Sequence, residues 1–195
     1  YCVIRCILYP NTQIVLASGV KKQAQLIITS KIVDLYNRHE AVRAEIGDRR
    51  NIKEGANDTS VSFLNGSKIV AVASNDNARG YRCNILILDE FRLIDKKIID
   101  EVLKPMLNVV RQPDFKAKSE YSKYPAEDNK TIYISSAWYK THWIWEEFQS
   151  TFKRMLAGDS YFVAGIPFQL SIFHGLLQMS KANEDRLLYD KTTYD

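Results

Sequence analysis

Several things are scarce or missing in this 195-residue chain, and each gap excludes something. Only three cysteines are present, Cys2, Cys6 and Cys83, and none sits in a C-x-x-C or Cys/His ligand spacing. That argues against a structural zinc site. The three histidines, His39, His142 and His174, are scattered without a partner pattern and read as surface or satisfied core residues. There is no signal peptide and no apolar run of membrane length, so no membrane is expected and a reducing cytoplasm is the expected compartment. The Asn57, Asn65 and Asn129 triplets of the N-x-S/T type are then chance matches. No repeat or low-complexity tract interrupts the chain. No G-x-x-x-x-G-K-[ST] loop occurs either, and Gly66-Ser67-Lys68 only imitates the end of one, because a strand rather than a helix follows it.

What remains is ordinary for a globular domain: 46% hydrophobic and 26% charged residues. The net charge of +4 permits an anionic partner such as DNA without requiring one. Alternating strand and helix patterns argue for a parallel α/β architecture. YCVIRCILY starts inside a periodic apolar segment with no N-cap before it, so the chain is expected to be cut from something longer. Gln13–Ala17 reads as a strand and Ser18-Gly19 as a turn. Val20 to about Arg38 reads as a helix with Ala24, Ile27, Ile28, Val33 and Leu35 facing the core. Ser60–Leu64 and Ser67–Ala73 read as a hairpin, with Asn65-Gly66 supplying a type I′ turn. A polar NDNARG loop (75–80) follows. Lys96–Asn108 is helical in pattern, and Gln112–Asn129 is polar and reads as an exposed loop. Thr131–Ile134 reads as a buried strand, His142–Leu156 as a helix, Tyr161–Ile166 as a last strand and Leu170–Tyr189 as a helical connection.

The segment Asn84–Phe91, NILILDEF, carries the most chemistry. Its apolar run predicts a strand buried on both faces that stops at two adjacent carboxylates. Ligands bind at such strand ends in open α/β sheets. Two acids there are costly unless a cation or a reacting water uses them. One use is a Walker B element, in which Asp89 holds Mg²⁺ through water and Glu90 polarises the water that attacks ATP. The alternative is a strand running into a solvated acidic turn.

Three strand ends occur in order: LASGVKKQAQ, LDEF and SSAW. Together with ARGYRCN and GIPFQLSIFHGLL, they resemble the additional-strand P-loop ATPases. The specific resemblance is to the large terminase subunit that packages DNA into tailed-phage capsids. It implies a three-layer, P-loop NTPase-like α/β fold of the RecA/ASCE type, with a mainly parallel central sheet covered by helices. It also implies ATP and Mg²⁺ as cofactors, with Asp89 as the magnesium aspartate and Glu90 as the catalytic glutamate. Ser135, Ser136 and Ala137 match the coupling motif that senses the γ-phosphate. Arg79, eleven residues before Glu90, stands where an arginine finger would reach a neighbouring subunit, with Arg82 as its competitor. Such a residue is worth about 10³-fold or more in rate.

The resemblance further implies double-stranded DNA, neighbouring copies in a ring, a portal protein and a terminase small subunit as partners. The place of action would be the host cytoplasm, docked at the viral procapsid. Residues 1–167 would form the ATPase domain, truncated at its N-terminus. Residues 168–195 would form a segment leading toward a nuclease domain that this chain does not contain. The missing phosphate loop is the main departure from the family, and it supports a degenerate prophage remnant as one alternative. A superfamily 2 helicase-like ATPase, whose motifs run in a similar order (an Ia-like strand end, a DE box and an S-A-T-like triplet), is another. A helicase more often shows DExH or DExD, which LDEFR does not. Lys116, Lys118, Lys123 and Lys130 cluster in the polar loop and are candidates for DNA phosphates. The amides of Val20-Lys21-Lys22-Gln23 are a weaker candidate for the nucleotide side.

Overall fold

Gln13–Ser18 (β1) has five consecutive buried residues, so both faces of this strand are covered. That is the burial expected of a central strand in a parallel sheet. The computed structural model describes residues 1–136 and 140–188, which fall into two compact units, Tyr1–Tyr139 and Lys140–Asp195. The division lies inside the stretch 1–167 expected to form one domain.

The first unit begins with α1 (Cys2–Leu8), followed by β1. A long helical stretch comes next: α2 (Lys21–Leu26), a π-helical segment (Ile27–Ile32) and α3 (Val33–Arg38). Then come α4 (Glu40–Ile46), β2 (Ile52–Glu54), β3 (Thr59–Ser62) and β4 (Lys68–Ala73). After the polar loop come β5 (Ile85–Asp89), α5 (Lys96–Ile98) with its π and 3₁₀ continuation to Leu107, and β6 (Lys130–Ile134). The strands form one six-stranded sheet in the order β2-β3-β4-β1-β5-β6. β4, β1, β5 and β6 run parallel, while β2 and β3 are antiparallel to their neighbours.

Alternation along the strands divides the core. Ile14 and Leu16 of β1, Ile69 and Ala71 of β4, and Ile85 and Ile87 of β5 join residues of α1 to α4 in one apolar cluster. The alternate residues Val15, Ala17, Leu86 and Leu88 are buried outside that cluster. The stretch after β5 buries Ile99, Val102, Leu103 and Met106. Helices therefore cover both faces of the sheet.

The 20–38 helix departs from simple periodicity. Its fully buried residues are Ala24, Ile28, Ile32 and Tyr36, a strict spacing of four, with Ile27, Val33 and Leu35 half-buried against them. An α-helix turns once every ~3.6 residues, so a four-residue repeat would drift around its surface. The wider i→i+5 turns of the π segment absorb that drift.

Four expectations need correction. The hairpin turn is not type I′: among the described non-glycine residues only Asn11 and Glu90 have positive φ, so Asn65 does not. The loop closes instead by Gly66 N–H to Phe63 O (3.1 Å) and Phe63 N–H to Ser67 O (2.8 Å), with Gly66 at φ +82°. This is a type I turn with a bulge glycine. Asn65 is held in place by donating its amide to the carbonyls of Cys6 and Ile7 at the end of α1 (2.8 and 3.2 Å). A Cβ on Gly66 would lie 1.9 Å from Asn11 Oδ1. Second, β6 is half-buried rather than buried, because it is the edge of the sheet among the described residues. Third, residues 161–166 form no strand; they have no regular secondary structure and are largely exposed. Fourth, the region read as helical from 170 onward is helical, but it starts at Phe168 and breaks after Phe173, giving α7 (Phe168–Phe173) and α8 (Met179–Leu188) of the second unit.

The second unit also contains α6 (Trp143–Leu156), whose Trp145, Phe148 and Phe152 rings stack along one side. Within this unit Arg154 lies 4.9 Å from the centroid of the Tyr161 ring.

At the start of the strands a carboxylate knot ties the 109–130 stretch to the fold. Glu127 bonds Arg5 of α1, Arg111 and Lys130. Arg5 also stacks on the Tyr9 ring at 3.5 Å, and Arg111 donates to Pro10 O (3.0 Å). Burial pushes the Glu127 carboxyl up, but the Arg5 and Lys130 bonds outweigh it and hold it down at about 2. A carboxyl with a lowered folded pKa stabilises the fold above its unfolded pKa, near ~4.3, and loses that contribution as pH falls toward the folded value. The contribution should therefore be complete above about pH 5 and fade between there and about pH 2. Glu127→Gln is expected to cost about 1–2 kcal/mol at pH 7, discounted because Lys130 is solvated, and almost nothing at the acid end. Urea melts at pH 7 and pH 2.5 check this; an equal loss at both pH values would exclude the carboxylate as the cause.

Candidate active site

The parallel register sets three strand ends side by side. Ser18 at the end of β1 lies opposite Asp89 at the end of β5, and Asp89 lies opposite Ile134 at the end of β6. The chain segments leaving these strands are Gly19-Val20, Glu90-Phe91 and Ser135-Ser136. All three leave the carboxyl edge of the sheet, where open α/β folds bind ligands.

Local bonding fixes this edge. Ser74 Oγ, just past β4, donates to Ser18 O (2.6 Å), and Ser18 Oγ bonds Gln23 Oε1 (3.0 Å). Gly19 passes so close to the turn after Glu90 that a Cβ on it would sit 2.4 Å from Leu93 Cβ. Glycine is required there by the close approach. Past Asp89 the chain reverses through Glu90, which has left-handed backbone angles (φ 47°, ψ 45°). Few non-glycine residues adopt this region, and those that do cluster at functional sites. Leu93 N–H to Glu90 O (2.9 Å) closes the turn, and Phe91 packs edge-on against Tyr133 of β6 with ring centroids 5.0 Å apart.

The two carboxylates are treated differently by their surroundings. Burial, and next the neighbouring charge of Glu90, push the Asp89 carboxyl up from the usual range. The Arg92 bond, with help from Ser136, pulls the Glu90 carboxyl down. Arg92 Nε donates to Glu90 Oε2 at 2.9 Å, and Ser136 Oγ donates to Glu90 Oε1 at 3.3 Å, a long contact for a hydroxyl. Ser135 Oγ is buried and has no hydrogen-bond partner among the described residues, an open capacity at the same strand end. Ala137 lies outside the described residues.

Asp89, Glu90, Ser135 and Ser136 are thus brought to one edge of the sheet, as their order along the chain led us to expect. Arg79 is not bonded to them. It is exposed, binds Asp76 (2.9 and 3.1 Å) and reaches Glu101 O at 3.4 Å. Arg82 donates only to the carbonyl of Tyr81 (2.9 Å) among the described contacts. The loop lysines are partly engaged: Lys130 pairs with Glu127, Lys116 donates to Pro125 O (3.1 Å), and Lys123 lies 5.9 Å from the Tyr124 ring. At the start of α2, Gln23 N–H is taken by Val20 O (2.9 Å). Sequence reading missed Arg92. Its only signal was a cation two residues beyond Glu90, a spacing that becomes a contact in the left-handed turn at Glu90.

The donor set suits a sparingly ligated, water-rich cation. Among the described residues no three His, Cys, Asp or Glu side chains converge to cage a metal. Mg²⁺ is commonly held by one or two carboxylates together with water and phosphate oxygens. Asp89, half-buried beside a second negative charge, fits that role.

The mostly parallel sheet covered by helices has a P-loop NTPase-like fold of RecA/ASCE type. Solved structures that share this fold include phage large terminases. The large terminase of a thermophilic bacteriophage, solved in complex with ADP, aligns over 95% of this chain and 39% of its own, with a TM-score of 0.60 and 10% identity. Another crystal form of the same terminase gives a TM-score of 0.56 at 13% identity. The HK97 bacteriophage large terminase aligns over 85% of this chain and 32% of its own, at 0.53 and 15%. The chain therefore spans well under half the length of these terminases. No protein-family model and no curated protein matches it. No helix among the described residues is long and apolar enough to cross a membrane.

Proposed function

We propose that the chain is the ATPase part of a DNA-packaging motor of the large-terminase kind. The observation that carries this reading is the pairing of two strand ends on adjacent parallel strands: Asp89-Glu90 on β5 and Ser135-Ser136 after β6. It is supported by a fold shared with phage large terminases, one of them solved with ADP.

Asp89 would hold Mg²⁺ through water, and the ion would supply neutralisation of the phosphate charge. Glu90 orients the attacking water and accepts its proton. The hydroxyls of Ser135 and Ser136 sense the γ-phosphate and pass its loss to the strand end; Ala137, the third residue of the motif, lies outside the described residues. Arg79, exposed and carried outward on Asp76, serves the site of a neighbouring copy in a ring. The work done is movement of double-stranded DNA into a procapsid in the host cytoplasm, with the portal protein and the terminase small subunit as partners.

The 195 residues contain no Walker A lysine or magnesium-ligating Ser/Thr of a phosphate loop. The chain alone is accordingly expected to turn over ATP at background rates. A longer protein joining it to a glycine-rich phosphate loop is expected to turn ATP over. Steady-state phosphate release from both proteins is the test. Robust turnover by the 195-residue chain, abolished in Glu90→Gln, would overturn the inactivity of the fragment. Background rates in a longer protein with an intact loop would favour a non-catalytic remnant.

A further inference from the structure

Asp89 and Glu90 are adjacent carboxylates at one strand end, and a divalent cation arriving at Asp89 would draw both toward it. A glutamate that ligates the ion directly is not free to receive a proton from water. Something must therefore keep Glu90 off the metal.

The geometry supplies that device. Glu90 is turned by its left-handed backbone away from the line of β5, and its carboxylate is occupied at both oxygens. Arg92 Nε holds Oε2 at 2.9 Å and Ser136 Oγ reaches Oε1 at 3.3 Å. The ion pair is largely shielded, with side-chain exposures of 20% for Arg92 and 27% for Glu90. The clamp spans two strand ends, one jaw belonging to the β5 turn and the other following β6.

We infer that Arg92 is a positioning residue that withholds Glu90 from the cation at Asp89 and presents it toward the Ser135-Ser136 strand end. The inference rests on the assignment of Asp89 as the cation's carboxylate. A charged donor is needed for this task. A neutral side chain at position 92 would leave two uncompensated carboxylates, which form a better cation trap than one. Arginine also adds its own positive charge next to the site and weakens cation binding there. Lysine keeps that charge.

Mn²⁺ binding to the 195-residue chain, read from the loss of the free-ion electron paramagnetic resonance signal, tests this without nucleotide or turnover. Wild type is expected to bind Mn²⁺ weakly, and Asp89→Asn to lose binding. Arg92→Gln is expected to bind about threefold or more tightly, Arg92→Lys to stay near wild type, and the Arg92→Gln/Glu90→Gln double variant to lose the gain. A purely structural role for Arg92 predicts weaker binding on its removal, not tighter. Unchanged affinity in Arg92→Gln, with Asp89→Asn still abolishing binding, would overturn the positioning role and leave the cation assignment standing. No Asp89-dependent binding in any variant would overturn both. Circular dichroism melts establish that each variant is folded, and Arg92→Lys supplies the comparison if Arg92→Gln is not.

Discussion

Glu90→Gln, introduced into a protein that joins these residues to a phosphate loop, is expected to lower ATP turnover by about 10²–10⁴-fold while nucleotide binding changes little. The substitution keeps the shape of the side chain and removes its ability to accept a proton. Gln tolerates the same backbone region about as well as Glu, so the turn from Glu90 to Leu93 should persist, with the amide oxygen accepting from Arg92 and the amide NH2 turned to the Ser136 hydroxyl, which can accept from it. The loss therefore falls on the chemical step, not on folding or affinity. Asp89→Asn has a different signature, weakening the metal-dependent part of nucleotide binding as well. Turnover and nucleotide affinity measured side by side separate the two. A Glu90→Gln protein that keeps a tenth or more of its turnover would remove Glu90 from the catalytic role.

The acidic strand was legible because everything that defines it is local. Ile85 to Leu88 are all buried, and Asp89 is the first residue of the run to meet the surface. The neighbouring strands were legible for the same reason, since buried parallel strands show as uninterrupted apolar runs. Whatever depended on distant contacts was not. YFVAGI at 161–166 has the composition of a strand, but strand propensity is realised only against a partner, and this stretch has none among the described residues. Asn65-Gly66 carries the strongest short hairpin signal there is. It yields a different turn because the Asn65 side chain is drawn to the end of α1. The π segment at 27–32 is a related case: it adjusts a helix whose buried spacing of four does not fit an α-helical turn.

The site divides in the same way. Residues that mark strand ends could be placed from the chain, because alternation and register align them once the strands pair. The contact between Glu90 and Arg92 could not, because whether side chains two apart meet depends on the backbone angles of the turn, and those of Glu90 are left-handed. Gly19 is a parallel case. It reads as an ordinary turn glycine, yet its lack of a Cβ is what allows the β1 loop to back onto Leu93.

The second large effect is structural, and it bears on how firmly the strand end is held. Leu86 is fully buried in β5, and its register partners are Val15 on β1 and Thr131 on β6, so it sits between two strands on a packed face. Leu86→Ala removes those buried methyls where rigid strands cannot close the gap, and about 3 kcal/mol of stability should be lost. For a chain of this size that corresponds to a fall of about 6–12 °C in melting temperature. Because the chain has two compact units, a whole-molecule melt mixes their transitions. Hydrogen exchange at the amides of β1 and β5 reads the first unit directly. Phe162→Ala is the matched control: Phe162 is equally apolar but 82% exposed, and its truncation should change stability by no more than about 0.5 kcal/mol. If Leu86→Ala leaves the exchange of the β5 amides as slow as in Phe162→Ala, then β5 is not the rigid support that places Asp89 and Glu90. The positioning of the two carboxylates would then have to come from the turn alone.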